Sequence, residues 1–232
     1  AQRMKWHLAL GTPANKLRFK DPDNLAHYGN AATDIQFEFP FGFKELEGIH
    51  SRTDFDLKSH QELSGKKLTY FDQEKNEAYV PYVVETSIGA DCMFLAMLSN
   101  NLKEESVPDS KGEDSTRLVF KIHPALAPVK CAVLPLVKNK EELTSKAKTI
   151  YDKLKLQFQC QYDDKDAIGR RYRRQDAIGT PICITVDFET LDDNCVTVRD
   201  RDTLVQQRVP IEKLSAIIAE KTDMSKVLDQ LV

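Results

Sequence analysis

The sequence contains no apolar run approaching the ~20 residues that a membrane-spanning helix needs, so no membrane association is expected. Its first residues, Ala1 to His7, lack both a signal-peptide core and an initiator methionine. A piece of a longer chain, without a secretory leader, is therefore expected. The five cysteines (Cys92, Cys131, Cys160, Cys183, Cys195) form no CxxC pair. That argues against a zinc site or a disulfide framework and for a reducing, cytoplasmic setting. Nor is there a large charge excess: a net charge of −3 excludes a strongly basic nucleic-acid binder and leaves a local basic face open. With 41% hydrophobic and 30% charged residues, the 232-residue chain suits one large or two small globular domains.

Along the first half, residues 1–10 read as a helix stopped by Gly11-Thr12-Pro13. Leu17 to Phe19 is a short strand, and Asp21-Pro22-Asp23 looks like a helix start with proline at its first position. Thr33 to Phe39 alternates strictly, the period of a half-buried strand, and Phe43 to Ile49 is its antiparallel partner. Glu45 and Glu47, two apart, would share that partner's polar face; they suit a divalent cation or an ammonium group, or simply a solvated surface. Thr53 to Leu63 reads as a helix with Thr53 as its N-cap. Leu68 to Phe71 and Tyr79 to Glu85 read as a hairpin, the second strand buried. That strand runs through Glu85-Thr86-Ser87-Ile88-Gly89 into a helix whose apolar residues, Met93, Phe94, Met97 and Leu98, share a face. Such a turn offers free backbone N–H groups to an anion and a strand-end carboxylate to a cation, or it only packs. Antiparallel succession with few helices indicates an α+β unit. The polar stretch 100–115 reads as a mobile loop, and the domain boundary is placed near residue 123.

After that point strands alternate with helices. Val129–Val137, Phe158–Tyr162, Pro181–Phe188, Cys195–Arg199 and Leu204–Val209 are strands; Glu141–Leu156, Ile168–Ile178 and Ile211–Lys221 are helices. This grammar predicts a compact α/β unit with a mixed sheet. In it, Arg170, Arg171, Arg173 and Arg174 surround Tyr172, a pattern fit for phosphate contact and base stacking. A solvated helix paired with Asp163, Asp164, Asp166 and Asp176 fits the same residues.

Taken together, these stretches resemble the dimeric class II glycyl-tRNA synthetase family. The resemblance rests on Trp6-His7-Leu8, Lys16-Leu17-Arg18-Phe19, Ala26-His27-Tyr28, Phe43 to Ile49, Asp54-Phe55-Asp56-Leu57 and Glu85 to Gly89. Further on it rests on Ile168 to Tyr172, Asp176 to Pro181 and Val196 to Asp202, so it covers essentially the whole chain. It implies part of a class II catalytic antiparallel sheet over residues 1–123, including the family's motif 3. An α/β anticodon-binding domain with a mixed five-stranded sheet would occupy residues 124–232. Motifs 1 and 2 would precede Ala1, so a C-terminal fragment, inactive in isolation, is expected.

The resemblance also implies a chemistry: ATP-dependent activation of glycine to glycyl-adenylate, then transfer to the 3′ end of tRNA(Gly). Glycine would bind Glu85, Thr86, Ser87, Ile88 and Gly89; ATP would meet Glu45, Leu46, Gly89, Ala90, Asp91 and Cys92, with Glu45 holding Mg²⁺ on the phosphates. No tightly bound cofactor is implied. The full-length protein would be a cytoplasmic homodimer, and Arg170, Arg171, Arg173 and Arg174 are candidates for tRNA contact. The chain departs from the family at Cys92, where the family has an arginine that grips phosphate. The alternative reading is a non-catalytic RNA-binding module.

Overall fold

The computed structural model describes residues 2–108 and 114–231. They form two compact units: Thr12–Ser99 with Arg3, and Asn100–Val232 with Gln2 and Met4–Gly11. The division falls at Ser99/Asn100, ahead of the boundary expected near residue 123.

Helix α1 (Gln2–Ala9) is followed by strands β1 (Leu17–Lys20), β2 (Ala31–Phe39) and β3 (Gly42–Ser51). Helix α2 (Phe55–Ser64), the small hairpin of β4 (Tyr70–Asp72) and β5 (Glu77–Tyr79), strand β6 (Val84–Ile88) and helix α3 (Ala90–Asn101) come next. The first unit is built on an antiparallel sheet in the order β1-β2-β3-β6. The alternation in β2 buries Ile35, Phe37 and Phe39, as its period predicts.

Several expectations fail here for identifiable reasons. Residues 21–30 make only bends and a turn, closed by the Gly29 N–H on the Ala26 carbonyl, and no helix. Thr53 does not cap α2; Asp54 precedes the helix, and Thr53 itself is left-handed at φ 55°. The stretch 79–85 is not one buried strand: Tyr79 ends β5, Pro81 offers no N–H for a ladder, and Val84, 71% exposed, begins β6 in another sheet. In α3 it is Ala96 and Asn100 that are buried, while Phe94 is exposed.

The second unit opens with a hairpin of β7 (Leu102–Pro108) and β8 (Asp114–Phe120), where the charged sequence suggests a mobile loop. Its charges are partners within the hairpin, since Glu105 accepts from Arg117 Nη2 at 2.6 Å. Residues 109–113, the middle of the expected loop, lie outside the described residues. There follow β9 (Cys131–Pro135), α4 (Glu141–Leu154), β10 (Cys160–Tyr162), α5 (Ile168–Ile178), β11 (Ile182–Val186) and the short α6 (Thr190–Asp193). Strands β12 (Cys195–Asp200) and β13 (Gln206–Pro210) and helices α7 (Leu214–Thr222) and α8 (Ser225–Leu228) complete it.

The mixed five-stranded sheet has the order β10-β9-β11-β12-β13, with β10, β9 and β11 parallel and the last two pairings antiparallel. One face buries Cys131, Val133, Ile184 and Val186 against Leu143, Ala147 and Ile150 of α4 and Leu214 and Ile218 of α7. The other buries Ala132, Leu134 and Cys183 against Ile168 and Tyr172 of α5. Cover on both faces is why β9 and β11 read as unbroken apolar runs.

Candidate functional site

In the first unit β6 lies antiparallel to β3, with Glu47 opposite Ile88, Gly48 opposite Ser87 and His50 opposite Glu85. Glu47 and Ile88 are the last residues paired in this ladder, so Leu46 and Glu45 on one strand, and Gly89 and the start of α3 at Ala90 on the other, adjoin the same end of it. The two segments expected to meet ATP are therefore neighbours at one end of the sheet. Glu85 and Ser87, two apart, share a face of β6, and Thr86 and Ile88 take the opposite one.

Glu45 and Glu47 do not share one solvated face. Ile35 pairs with Glu47 and Gln36 with Glu45, which leaves Leu46 as the extra residue of a β-bulge. The bulge leaves Glu45 exposed and Glu47 1% exposed, ion-paired to Arg3. Glu45 is thus an open carboxylate at this end, and one hard carboxylate suits a Mg²⁺ ion carried mainly by phosphates and water. A Cβ placed on Gly48 would come within 2.7 Å of the His50 ring, so any larger residue there would displace that ring.

Sequence reading missed the group facing Glu85. Arg52 Nη1 donates to Glu85 Oε2 at 2.7 Å. The same guanidinium holds both Asp56 oxygens, at 2.6 and 3.0 Å, and stacks 4.0 Å from the Tyr28 ring centroid. Hydrogen bonding to Arg52 lowers the Asp56 pKa, and the Arg52 pKa rises in return. Thr53 adopts its left-handed conformation where two backbone bonds fix the chain: Arg52 N–H to the Val83 carbonyl at 2.9 Å, and Val83 N–H to the Thr53 carbonyl at 2.8 Å. A β-branched residue there is strained, and the strain sits beside the arginine that meets Glu85. One guanidinium between two carboxylates is a net-negative cluster able to take both ends of a small zwitterion. Cys92, in the first turn of α3, is an exposed thiol.

The arginines of α5 separate into different roles. Arg171 is 1% exposed and donates to the carbonyls of Pro135, Asp164, Lys165 and Asp166, stapling the loop before α5 to the end of β9. It is thereby removed from the expected RNA face. Arg174 holds Asp163 and Asp166, each at 2.8 Å, and Arg173 donates to the Thr116 carbonyl at 2.7 Å. Tyr172 is turned inward, its hydroxyl 2.6 Å from Thr185 Oγ1. Arg170 is left exposed, only 3.8 Å from Asp166. Exposed Lys138, Lys140 and Lys165 stand with it where the parallel strands end, alongside Phe188, 50% exposed, just past β11.

Among the described residues no helix is long and apolar enough to cross a membrane, and no three His, Cys, Asp or Glu cluster as a metal site.

The anticodon binding domain family model matches residues 130–221, and the second unit has that fold, the anticodon-binding domain of class II aminoacyl-tRNA synthetases. The chain also resembles in fold the crystal structure of the RNA binding domain of threonyl-tRNA synthetase from Cryptosporidium parvum Iowa II, with a TM-score of 0.60 at 18% identity over 86% of this chain and 45% of that one. Across both units the homologues of the chain are glycine–tRNA ligases. It is 50% identical to that of Agathobacter rectalis over 93% of its length and 52% identical to that of Alkaliphilus metalliredigens over 94%. It is 50% identical to that of Chlorobaculum tepidum over 95%. The chain spans about half the length of these curated relatives, 46% in each case.

Proposed function

We propose that the chain works as part of a cytoplasmic, homodimeric glycine–tRNA ligase. The observation that carries this reading is identity of about 50% to glycine–tRNA ligases across both units. In the first unit, Glu85 and Asp56 would attract the glycine ammonium while Arg52 faces its carboxylate. Selection of glycine would rest on exclusion of bulk, because favourable contact with one methylene gives only about 1–3 kcal/mol of discrimination. Glu45 and Leu46 on one side and Gly89 to Cys92 on the other would flank ATP, with Glu45 toward its Mg²⁺. A glycine carboxylate oxygen would attack the α-phosphorus, pyrophosphate would leave, and the glycyl group would pass to the tRNA 3′ end.

In the second unit, the tRNA anticodon would meet the carboxyl ends of β9, β10 and β11, where ligands of open parallel sheets bind. Lys138, Lys140, Lys165 and Arg170 offer charge to phosphates, and Phe188 offers a face for a base.

The test has two arms. Glycine-dependent ATP–pyrophosphate exchange is expected from a complete ligase carrying these residues and not from the 232 residues alone. Salt-dependent binding of a glycine anticodon stem-loop, in preference to one with another anticodon, is expected from the 232 residues. Loss of that preference would reject the anticodon assignment. The second reading, a non-catalytic RNA-binding module, is favoured by the thiol at Cys92; stem-loop binding with no exchange activity in the complete protein would establish it.

A further inference from the structure

Cys131 and Cys160 lie directly opposite one another on the parallel strands β9 and β10, and the Cys131 thiol donates to Cys160 Sγ at 3.3 Å. In-register neighbours have Cα atoms about 4.8 Å apart, inside the ~4.4–6.8 Å range that a disulfide spans. The pair is set apart from the other thiols. Cys183, opposite Ala132 on β11, packs on the other face of the sheet with Leu134, and Cys195 begins β12. Accessibility divides the labour: Cys131 is fully buried, whereas Cys160 is half-buried on a three-residue strand at the sheet edge. The hydrogen bond to Cys160, together with burial, raises the Cys131 pKa, so its proton is retained.

We propose that Cys131 and Cys160 form an oxidisable dithiol, a modification site at which a hydroperoxide closes a cross-strand disulfide. The Cys160 thiolate attacks one peroxide oxygen, giving a sulfenic acid and releasing hydroxide. Cys131 sulfur then attacks the Cys160 sulfur; the S–S bond forms, the S–O bond breaks, and the Cys131 proton leaves with the hydroxyl as water. The dithiol loses two electrons and the peroxide gains them. The product fastens β10 to β9. It thereby fixes one wall of a cleft of about 530 Å³ lined by Gln161, Tyr162, Asp163, Lys165, Arg174 and Gln175.

The experiment treats the reduced 232-residue chain with hydrogen peroxide and reads intact mass, peptide links and amide exchange. The expected result is a loss of about 2 Da, the two thiol hydrogens, with Cys131 linked to Cys160 and slower exchange at residues 160–162, all reversed by dithiothreitol. Cys131→Ser is expected to show no cross-link and a dimedone-reactive sulfenic acid at Cys160, and Cys160→Ser is expected to leave Cys131 reduced. Oxygen gain without a cross-link in the unsubstituted chain, a link through another cysteine, or unchanged exchange at 160–162 overturns the proposal.

Discussion

Asp176 and Arg199 face each other through two parallel, buried hydrogen bonds, Nη1 to Oδ1 at 2.8 Å and Nη2 to Oδ2 at 2.9 Å. Arg117 of the β7–β8 hairpin adds a third at 3.0 Å, so one carboxylate serves two guanidiniums from elements far apart in sequence. Arg201 continues the joint, donating to the carbonyls of Phe120, Ile122 and Gly179. The hairpin is thus held to the sheet through α5 and the end of β12.

Removal of the shared carboxylate leaves Arg199 buried with uncompensated charge and Arg117 with Glu105 as its remaining anionic partner. Asp176→Ala is expected to destabilise the second unit by about 3–5 kcal/mol in urea unfolding. A loss below about 1 kcal/mol would mean that water reaches the site and the bidentate bond contributes little.

Neighbouring arginines of α5 should behave oppositely. Arg171→Met removes a donor from four carbonyls, of which that of Lys165 keeps a second one from Arg174, and is expected to cost about 3 kcal/mol in thermal or denaturant unfolding. Arg170→Ala should leave stability unchanged and reduce the salt dependence of stem-loop binding by about one phosphate contact. Equal effects on stability from the two variants would contradict this separation.

Asp200 gives the second unit an acid-sensitive contact. Burial pushes its pKa up, but hydrogen bonds from Lys221 and from the Thr203 and Asp202 N–H groups outweigh burial and bring it down to about 2. A folded-state value below the unfolded one means that the stabilisation is present above the ordinary carboxylate range and is lost as pH falls toward about 2. Asp200→Asn should flatten stability against pH between about pH 4 and pH 2; an unchanged acid limb in chemical unfolding would reject the contact.

On the proposed glycine reading, Glu85→Gln in the complete ligase keeps the shape of the site and removes one of its two carboxylates. Glycine-dependent exchange is expected to fall by about 10²-fold or more in kcat/KM, the scale of a lost charged contact. An unaltered kcat/KM would remove Glu85 from the site.

Position 92 tests the phosphate side. Cys92 is exposed, so Cys92→Arg meets no packing penalty, and a guanidinium there can fork onto phosphate oxygens. Exchange activity of the complete ligase is expected to rise by about 10²-fold, comparable to restoring one oxyanion donor. No change in the KM for ATP or in kcat would separate this position from ATP.

Where a segment's own pattern carried the signal, sequence and structure agree. The apolar runs of β9 and β11 and the alternation of β2 were legible because each follows from which faces are covered, and α5 occupies Ile168–Ile178 as read. Segments whose stability comes from distant partners were not legible. The β7–β8 hairpin looks like a loop because its charged residues find partners within the hairpin and on α5, as Arg117 does with Glu105 and Asp176. The bulge at Leu46, which hides Glu47 and exposes Glu45, depends on the register with β2 and has no signature in β3 itself. Arg52 escaped notice because its importance comes from Glu85 and Tyr28, brought to it by strand pairing and a turn.

Two structural grammars, antiparallel and then alternating, are written in the chain's own pattern, together with the family resemblance and the segments to which chemistry could be assigned. Periodicity and motif order are local properties of the chain, so they survive without coordinates. Folding set the fate of each charge. It buried Arg171 and Glu47, exposed Arg170 and Glu45, and placed Arg52 against Glu85 and the Cys131 thiol against Cys160. Whether a polar group is solvated, paired or buried depends on neighbours that only folding supplies.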